Sequence, residues 1–469
     1  MSHTTREQPK TITRRSVLRN TLALFPIYYL GVYSKRGISQ ELKGIKVVVV
    51  GAGISGLVAA QTLQAQGAEV LVLESENRIG GRIRTNYSMG VPFEIGAGWI
   101  HGPSARNPVK NLSEEIDAKT FVTSDKNYTL FDDKGREISD QKFDEIDRKW
   151  TYILNYIDNE LKTDDTRTLL EVINAEFPGA IDDPLLRWAF SAYTEFDKGA
   201  SLERLSAYYH DEDDFFDGKD VILTGGYDKI LQPLAQHLNI KLKRKVEVIS
   251  YGGNGVEVSS NNEAFFADYV VCSVPLGVLK NNKIKFKPQL PVKFQNRIKR
   301  IGFGSVTKIA LQFGETFWDT EVQYFGIATE PTGRWNLWMN YKTFSNENIL
   351  MGISCGDYAF TADKMSDTQL EKDALSVLKS VWGKKVTDPV RVITTKWSQD
   401  DSTFGAYSYP AKSCTPTDFN GLAEGLEGDF YKTLFFCGEH TTFDFAGTTH
   451  GAYLSGSLAA KSILEEETL

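Results

Sequence analysis

Apolar runs along the chain separate a few buried strands from longer stretches in which apolar and charged positions alternate. The first strong run is Lys46–Val50 (KVVVV), whose length and β-branched content predict a buried strand. It passes directly into Gly51-Ala52-Gly53-Ile54-Ser55-Gly56, and an apolar helix follows through Gln66. A second strand from Glu69 to Leu73 ends at Glu74. From Asn107 to about Asp220 the pattern becomes amphipathic and mostly helical, rich in aromatic and acidic residues. Strand and turn signals return from Val221 in VILTGGYDKI, KLKRKVEVISY and DYVVCSVPLGVL. Residues 301–410 alternate short strands with aromatic patches such as Arg334 to Trp338. A last buried strand, Leu434 to Cys437, leads through Gly438 and Glu439 to a helix from about Gly451.

Strands alternating with helices predict an α/β fold. The glycine-rich turn between the first strand and its helix marks a dinucleotide-binding unit of Rossmann type, with the glycines where a tight turn and close phosphate approach need them. Glu74, eighteen residues past Gly56, stands where an acid accepts the ribose hydroxyls. The expected layout is a discontinuous cofactor domain from residues 44–106, 221–300 and 428–469. Residues 107–220 and 301–427 then make a mixed α+β substrate-binding domain. A chain of 469 residues exceeds one ordinary core, in keeping with two domains.

Composition narrows the function classes. An apolar fraction of 41% with 24% charged residues is that of a globular protein, and a net charge of −8 excludes the basic footprint of a nucleic-acid binder. Cys272, Cys355, Cys414 and Cys437 lie far apart, with neither metal-like spacing nor a disulfide framework, so no metal is expected. Residues 1–43 read as a signal or tail. Thr13-Arg14-Arg15-Ser16-Val17-Leu18-Arg19 is a twin-arginine pattern, and the apolar stretch from Thr21 to Tyr33 is short and broken by Pro26. This predicts bacterial export, with transient contact to twin-arginine machinery. A cytoplasmic chain with a basic tail is the alternative.

The chemistry begins after Glu74. Arg78-Ile79-Gly80-Gly81-Arg82-Ile83-Arg84-Thr85 places paired glycines between arginines, a second place where backbone and guanidinium can approach a diphosphate. A nicotinamide enzyme needs only the first motif, so the second points to FAD.

Together these motifs resemble the flavin-containing amine oxidase family: monoamine oxidases, polyamine oxidases and flavin-dependent lysine demethylases. The resemblance runs from about Lys46 to Leu464. Gly96-Ala97-Gly98-Trp99-Ile100-His101-Gly102 is similar to the polyamine and spermine oxidase branch. Val274 to Leu279, Gly304 to Lys308, and Phe436 to His440 with Thr448 to Gly456 match further family segments. The resemblance implies cofactor contacts from Gly51, Gly53, Ser55, Gly56, Glu74, Arg82, Gly98, Trp99, Val246, Trp397, Gly438, Glu439 and Thr449. It makes Lys308 the active-site lysine and Tyr407 one wall of an aromatic cage. His101 is implied in the substrate channel, and Thr448 stands at the wall opposite Tyr407. Monoamine oxidases bond the flavin through a cysteine immediately before that tyrosine. Ala406 stands there in this chain, which implies noncovalent FAD. The N-terminus of the closing helix is expected to face the flavin edge that gathers negative charge. Glu195 and Asp197, helped by the run Asp211 to Asp214, are candidates to receive distal ammonium groups.

The expected reaction is FAD-dependent oxidation of spermine or spermidine at a secondary amine, with oxygen as acceptor. Its products are an aminoaldehyde, a smaller amine and hydrogen peroxide. An L-amino-acid oxidase is the nearest alternative and would need an arginine clamp, for which Arg106 is the candidate. A polyene desaturase and a noncatalytic FAD-binding protein also stay open. A chromatin demethylase is disfavoured here, because the sequence carries no extra helical insertion.

Overall fold

The computed structural model describes residues 42–124, 126–211, 213–253, 255–428 and 431–468. The twin-arginine pattern and the apolar stretch after it lie outside the described residues. No described helix is long and apolar enough to cross a membrane.

Strand β1 (Lys46–Val50) sits inside a six-stranded sheet, with Val47 to Val50 all buried. It pairs in parallel with β2 (Glu69–Leu73) on one side and with Tyr269–Cys272 on the other. Lys432–Phe436 and Asn239–Lys241 extend the parallel set, and Leu426–Glu427 adds an antiparallel edge. A strand covered on both faces has no polar side to show, which is why β1 reads as an unbroken apolar run. Helix α1 (Ile54–Ala65) crosses from β1 to β2 and packs against the closing helix, Thr449–Glu466. Gly456 makes this crossing possible, since a Cβ there would lie 2.2 Å from the carbonyl of Ser55. The closing helix starts two residues before the expected Gly451, because the Thr448 hydroxyl accepts the Gly451 N–H at 2.9 Å and caps it.

A second six-stranded sheet runs in the order Arg391–Thr394, Thr307–Gln312, Ile349–Ser354, Leu337–Asn340, Tyr324–Ile327 and Tyr128–Phe131. All its pairs are antiparallel except the last. Two findings depart from the sequence reading. The stretch after Asn107 contains helices such as Asp140–Glu160, yet it also supplies the edge strand Tyr128–Phe131. It further supplies Thr120–Val122, which pairs with Val221–Leu223. Short strands whose partners lie far along the chain leave no local period to detect. Conversely, residues 301–410 hold a sixteen-residue helix, Asp367–Trp382, that covers the second sheet with Leu370, Ala374 and Leu378. Its start was legible, since Ser366 and Gln369 form a capping box. All four cysteines are free and buried.

Candidate functional site

The glycine turn has the shape a phosphate needs. Gly51 adopts φ +103°, and a Cβ on Gly56 would sit 2.2 Å from the Gly51 carbonyl, so both glycines are required by the turn itself. Gly53 differs: a Cβ there would meet nothing within 4 Å, so this glycine faces open space. It is the N-cap of α1 and no side chain caps the helix, which leaves the first-turn N–H groups directed at that space. Ser55 is buried in this first turn. Gly80 bridges to Gly53, and Gly81 (φ +56°) approaches Gly53 alone, so the two glycine motifs line one cradle. The open backbone, the uncapped helix end and the acid beside them fit a dinucleotide diphosphate.

Glu74 closes the cradle at the end of β2. Its carboxylate accepts the Ala52 N–H at 2.7 Å and the Glu76 N–H at 2.8 Å, which holds it in place at the turn. The Arg244 N–H reaches the Glu74 carbonyl at 2.7 Å, bringing the segment before Val246 to the same corner. Val246 itself is buried at the start of the strand Val246–Ser250.

At the other end, the partly exposed Arg82 and the buried Glu439 form an ion pair at 2.7 Å. Arg82 also donates to the Ala406 carbonyl at 2.7 Å. Glu439 accepts from the Ser408 N–H and hydroxyl and from the Gly447 N–H. Burial opposes the charge on Glu439, but Arg82, His440 and Ser408 outweigh it and hold its carboxyl below the usual range. The Gly438 N–H donates to Ser455 in the closing helix at 2.8 Å, and Thr449 opens that helix. Glu439 thus ties the Gly80–Arg82 turn to the Ala406–Ser408 segment. This network was not legible in sequence, because Arg82 lies 357 residues from Glu439.

The candidate reacting region is a chain of contacts around Lys308. Lys308 lies on the strand Thr307–Gln312, buried, with its ammonium donating to the carbonyls of Gly96 at 2.6 Å and Glu94 at 3.2 Å. The ammonium also sits 5.5 Å from the centre of the Trp99 ring. Burial pulls the Lys308 pKa down to about 8, against the opposing effect of Glu94. Glu94, which the sequence reading did not single out, is itself pushed up to about 7 by burial, despite hydrogen bonds from Thr85 and the Tyr227 N–H. Trp99 meets Phe196 edge-on at 6.5 Å, and the Phe196 carbonyl accepts the Tyr407 hydroxyl at 2.5 Å. Trp397 is buried and donates to the Ile95 carbonyl, and Gly98 packs on Glu94. Lys308, Trp99, Trp397 and Tyr407 are therefore gathered by their neighbours. A cavity of about 310 Å³ reaches Lys308 past Glu94, Trp99, Tyr341 and Phe344.

The remaining candidates occupy other places. His101 is 55% exposed and paired with Asp220 at 2.6 Å. The Thr448 hydroxyl serves as the helix cap. Glu195 is buried in the π-helical turn Phe190–Glu195, accepting the Leu202 N–H at 3.0 Å, and burial lifts its carboxyl to about 7. Asp197 instead joins Lys198 and Asp213 in an ion-pair cluster, in which Lys198 had no sequence signal. Arg106 is exposed and paired with Asp217. Among the described residues, no group of His, Cys, Asp or Glu gathers as for a metal.

Residues 54–464 match the family described as flavin containing amine oxidoreductase. Polyamine oxidase 4 of Oryza sativa subsp. japonica is 31% identical, over 88% of this chain and 87% of that protein. Polyamine oxidase 2 of Arabidopsis thaliana is 30% identical, over 91% and 89%. Lysine-specific histone demethylase 1 homolog 2 of Arabidopsis thaliana is 34% identical over 91% of this chain, which spans only 59% of that relative's length. With Ala406 offering no thiol beside Tyr407, the cofactor is held without a covalent bond. The chain belongs to the flavin-containing amine oxidoreductase family, and its cofactor is FAD.

Proposed function

We propose that the protein oxidises polyamines such as spermidine or spermine at a secondary amine, with oxygen as the final acceptor. The overall balance is one amine, one oxygen and one water giving an aminoaldehyde, a smaller amine and hydrogen peroxide. FAD supplies the two-electron acceptor. The protein's part is to hold and orient. Trp99, Phe196 and Tyr407 form an aromatic surface for an apolar methylene chain. Lys308, fixed by two backbone carbonyls, supplies a positioned proton carrier with a pKa near neutrality. No strong base is required if the amine binds uncharged.

The observation that carries the substrate class is the carboxylate of Asp197, 60% exposed and one residue after Phe196, whose carbonyl accepts the Tyr407 hydroxyl. The near full-length match to relatives named polyamine oxidases supports the same reading. The test is a peroxide-coupled assay of the FAD-bound protein against spermine, spermidine, putrescine, a monoamine and leucine. Peroxide from spermine or spermidine is expected, and turnover of leucine alone would replace this reading with the amino-acid oxidase. The 34% identity to a demethylase homologue supports a second reading, oxidation of an N-methylated lysine side chain, and a methyl-lysine peptide belongs in the same panel. Export by a twin-arginine route is also proposed from the Arg14-Arg15 pattern, and fractionation of expressing cells tests it.

A further inference from the structure

Lys308 is held by a residue whose side chain has no part in the oxidation described above. The Glu94 carbonyl accepts the Lys308 ammonium at 3.2 Å, beside the Gly96 carbonyl at 2.6 Å. The Glu94 carboxyl is buried and clamped from two other segments, by the Thr85 hydroxyl at 2.6 Å and the Tyr227 N–H at 2.8 Å. Both bonds favour its ionised form, as does Lys308, while Asp228 opposes it. Burial, with a smaller push from Glu94, raises the Tyr87, Tyr227 and Tyr341 phenols, so they stay neutral near pH 7 to 8. Burial also lifts Glu94 to about 7 and draws Lys308 down to about 8. Glu94 is therefore mostly ionised where Lys308 loses its proton, and its charge helps to keep that proton on.

The cavity of about 310 Å³ gives both groups a way out. Its lining runs from Glu94, Lys308 and Trp99 past Tyr341 to Glu347 and the exposed Asn346. The Glu347 carboxylate accepts the Gln312 amide at 2.7 Å. Among the described residues, neither Phe196 nor Tyr407 lines this cavity, and of the expected cofactor contacts only Gly98 and Trp99 do. It is thus distinct from both the aromatic surface and the diphosphate cradle, and it meets that surface at Trp99.

We propose that Glu94 is a positioning residue for Lys308: its carbonyl fixes the ammonium, its carboxylate keeps that ammonium charged, and the cavity lets the pair exchange protons with solvent away from Tyr407. A proton released by Lys308 passes to water in the cavity, and one taken up returns the same way, so no further reactant is needed. What Lys308 does with that proton rests on the amine-oxidising site proposed above.

The test needs no substrate. Lysines of the folded, FAD-bound protein are labelled with trace acetic anhydride across pH 6 to 10, and mass spectrometry reads the midpoint at which Lys308 becomes reactive. Glu94→Gln is expected to lower that midpoint by about one pH unit. Glu94→Asp, which keeps the charge, is expected to shift it by less than half as much. An unchanged midpoint in Glu94→Gln overturns the proposal, and so does an equal shift in both variants, which would assign the effect to packing. If Glu94→Gln fails to fold, Thr85→Val removes a donor that favours the carboxylate and is expected to lower the midpoint; no change there overturns the proposal too. Asn346→Trp, at the cavity rim, is expected to slow Lys308 labelling severalfold at an unchanged midpoint. Equal rates, or a Lys308 that never reacts while exposed lysines do, would remove the cavity as its path. A wild type that oxidises no amine, yet shows the expected shift in Glu94→Gln, would refute the proposed function and leave the role of Glu94 standing.

Discussion

Replacing Arg82 by Met tests whether the Arg82–Glu439 pair is the clasp between the two halves of the site. The substitution keeps much of the side-chain volume and removes only the guanidinium. Glu439 would lose its charge-assisted bond but keep three donors, from the Ser408 N–H, the Ser408 hydroxyl and the Gly447 N–H. The Ala406 carbonyl would also lose its donor. Breaking a buried pair from one side costs about 3–5 kcal/mol. Because Arg82 is 22% exposed and three donors remain, the expected loss is about 2–3 kcal/mol. The sign in pH follows from the depressed carboxyl. Glu439 contributes stability above its ordinary value of 4.5, and that contribution is lost as pH falls through the lower folded value. Without Arg82 the folded value rises and this acid-side contribution shrinks. The assay is urea unfolding at fixed excess FAD across the acid range, within a double-mutant cycle with Glu439→Gln. A loss below about 0.5 kcal/mol with an unchanged acid limb would refute the clasp, since ordinary surface changes reach only that size.

Four further outcomes are expected. Gly53→Ala should keep its circular dichroism but fail to retain FAD, because its Cβ enters only the open cradle, whereas Gly56→Ala should disturb the fold itself through the 2.2 Å approach to Gly51; equal flavin retention by Gly53→Ala and wild type would remove the diphosphate from that space. Lys308→Met should keep FAD while turnover drops about 100-fold, and unaltered turnover would remove Lys308 from the reaction. For a substrate that binds uncharged, kcat/KM should rise with pH through the amine's own ionisation, and a flat profile from neutral to alkaline pH would contradict that. Finally, burial pushes the Cys272, Cys414 and Cys437 thiols up to about 12, so a thiol reagent should find no fast-reacting cysteine until the chain is unfolded; rapid modification of the native protein would show these thiols to be accessible.

Much of the cofactor half was legible because its signals are local. A buried parallel strand must be apolar throughout, and a turn that lets backbone approach a phosphate must carry glycine, so KVVVV followed by GAGISG announces itself without knowledge of any other residue. The acid at Glu74 belongs to the same short unit. The edge strand Tyr128–Phe131 was hidden among helices for the opposite reason: it pairs in the sheet with Tyr324–Ile327, nearly two hundred residues away. The helix Asp367–Trp382 lay between these cases, capped in plain view by Ser366 but set among strands.

The site divides along the same line. The residue types at Lys308, Tyr407 and the glycine turn were determined by the sequence, since each sits in a short motif. Their surroundings were decided only when the chain folded. Tertiary packing turned Glu439 toward Arg82, spent the Thr448 hydroxyl on a helix cap, buried Glu195 against Leu202, and left His101 at the surface with Asp220. It also seated Lys198 between two carboxylates, one of them fifteen residues away. A side chain's chemistry is written in its identity, but its charge and its partner depend on burial and on what the rest of the chain brings within about 3 Å, and no local pattern encodes that.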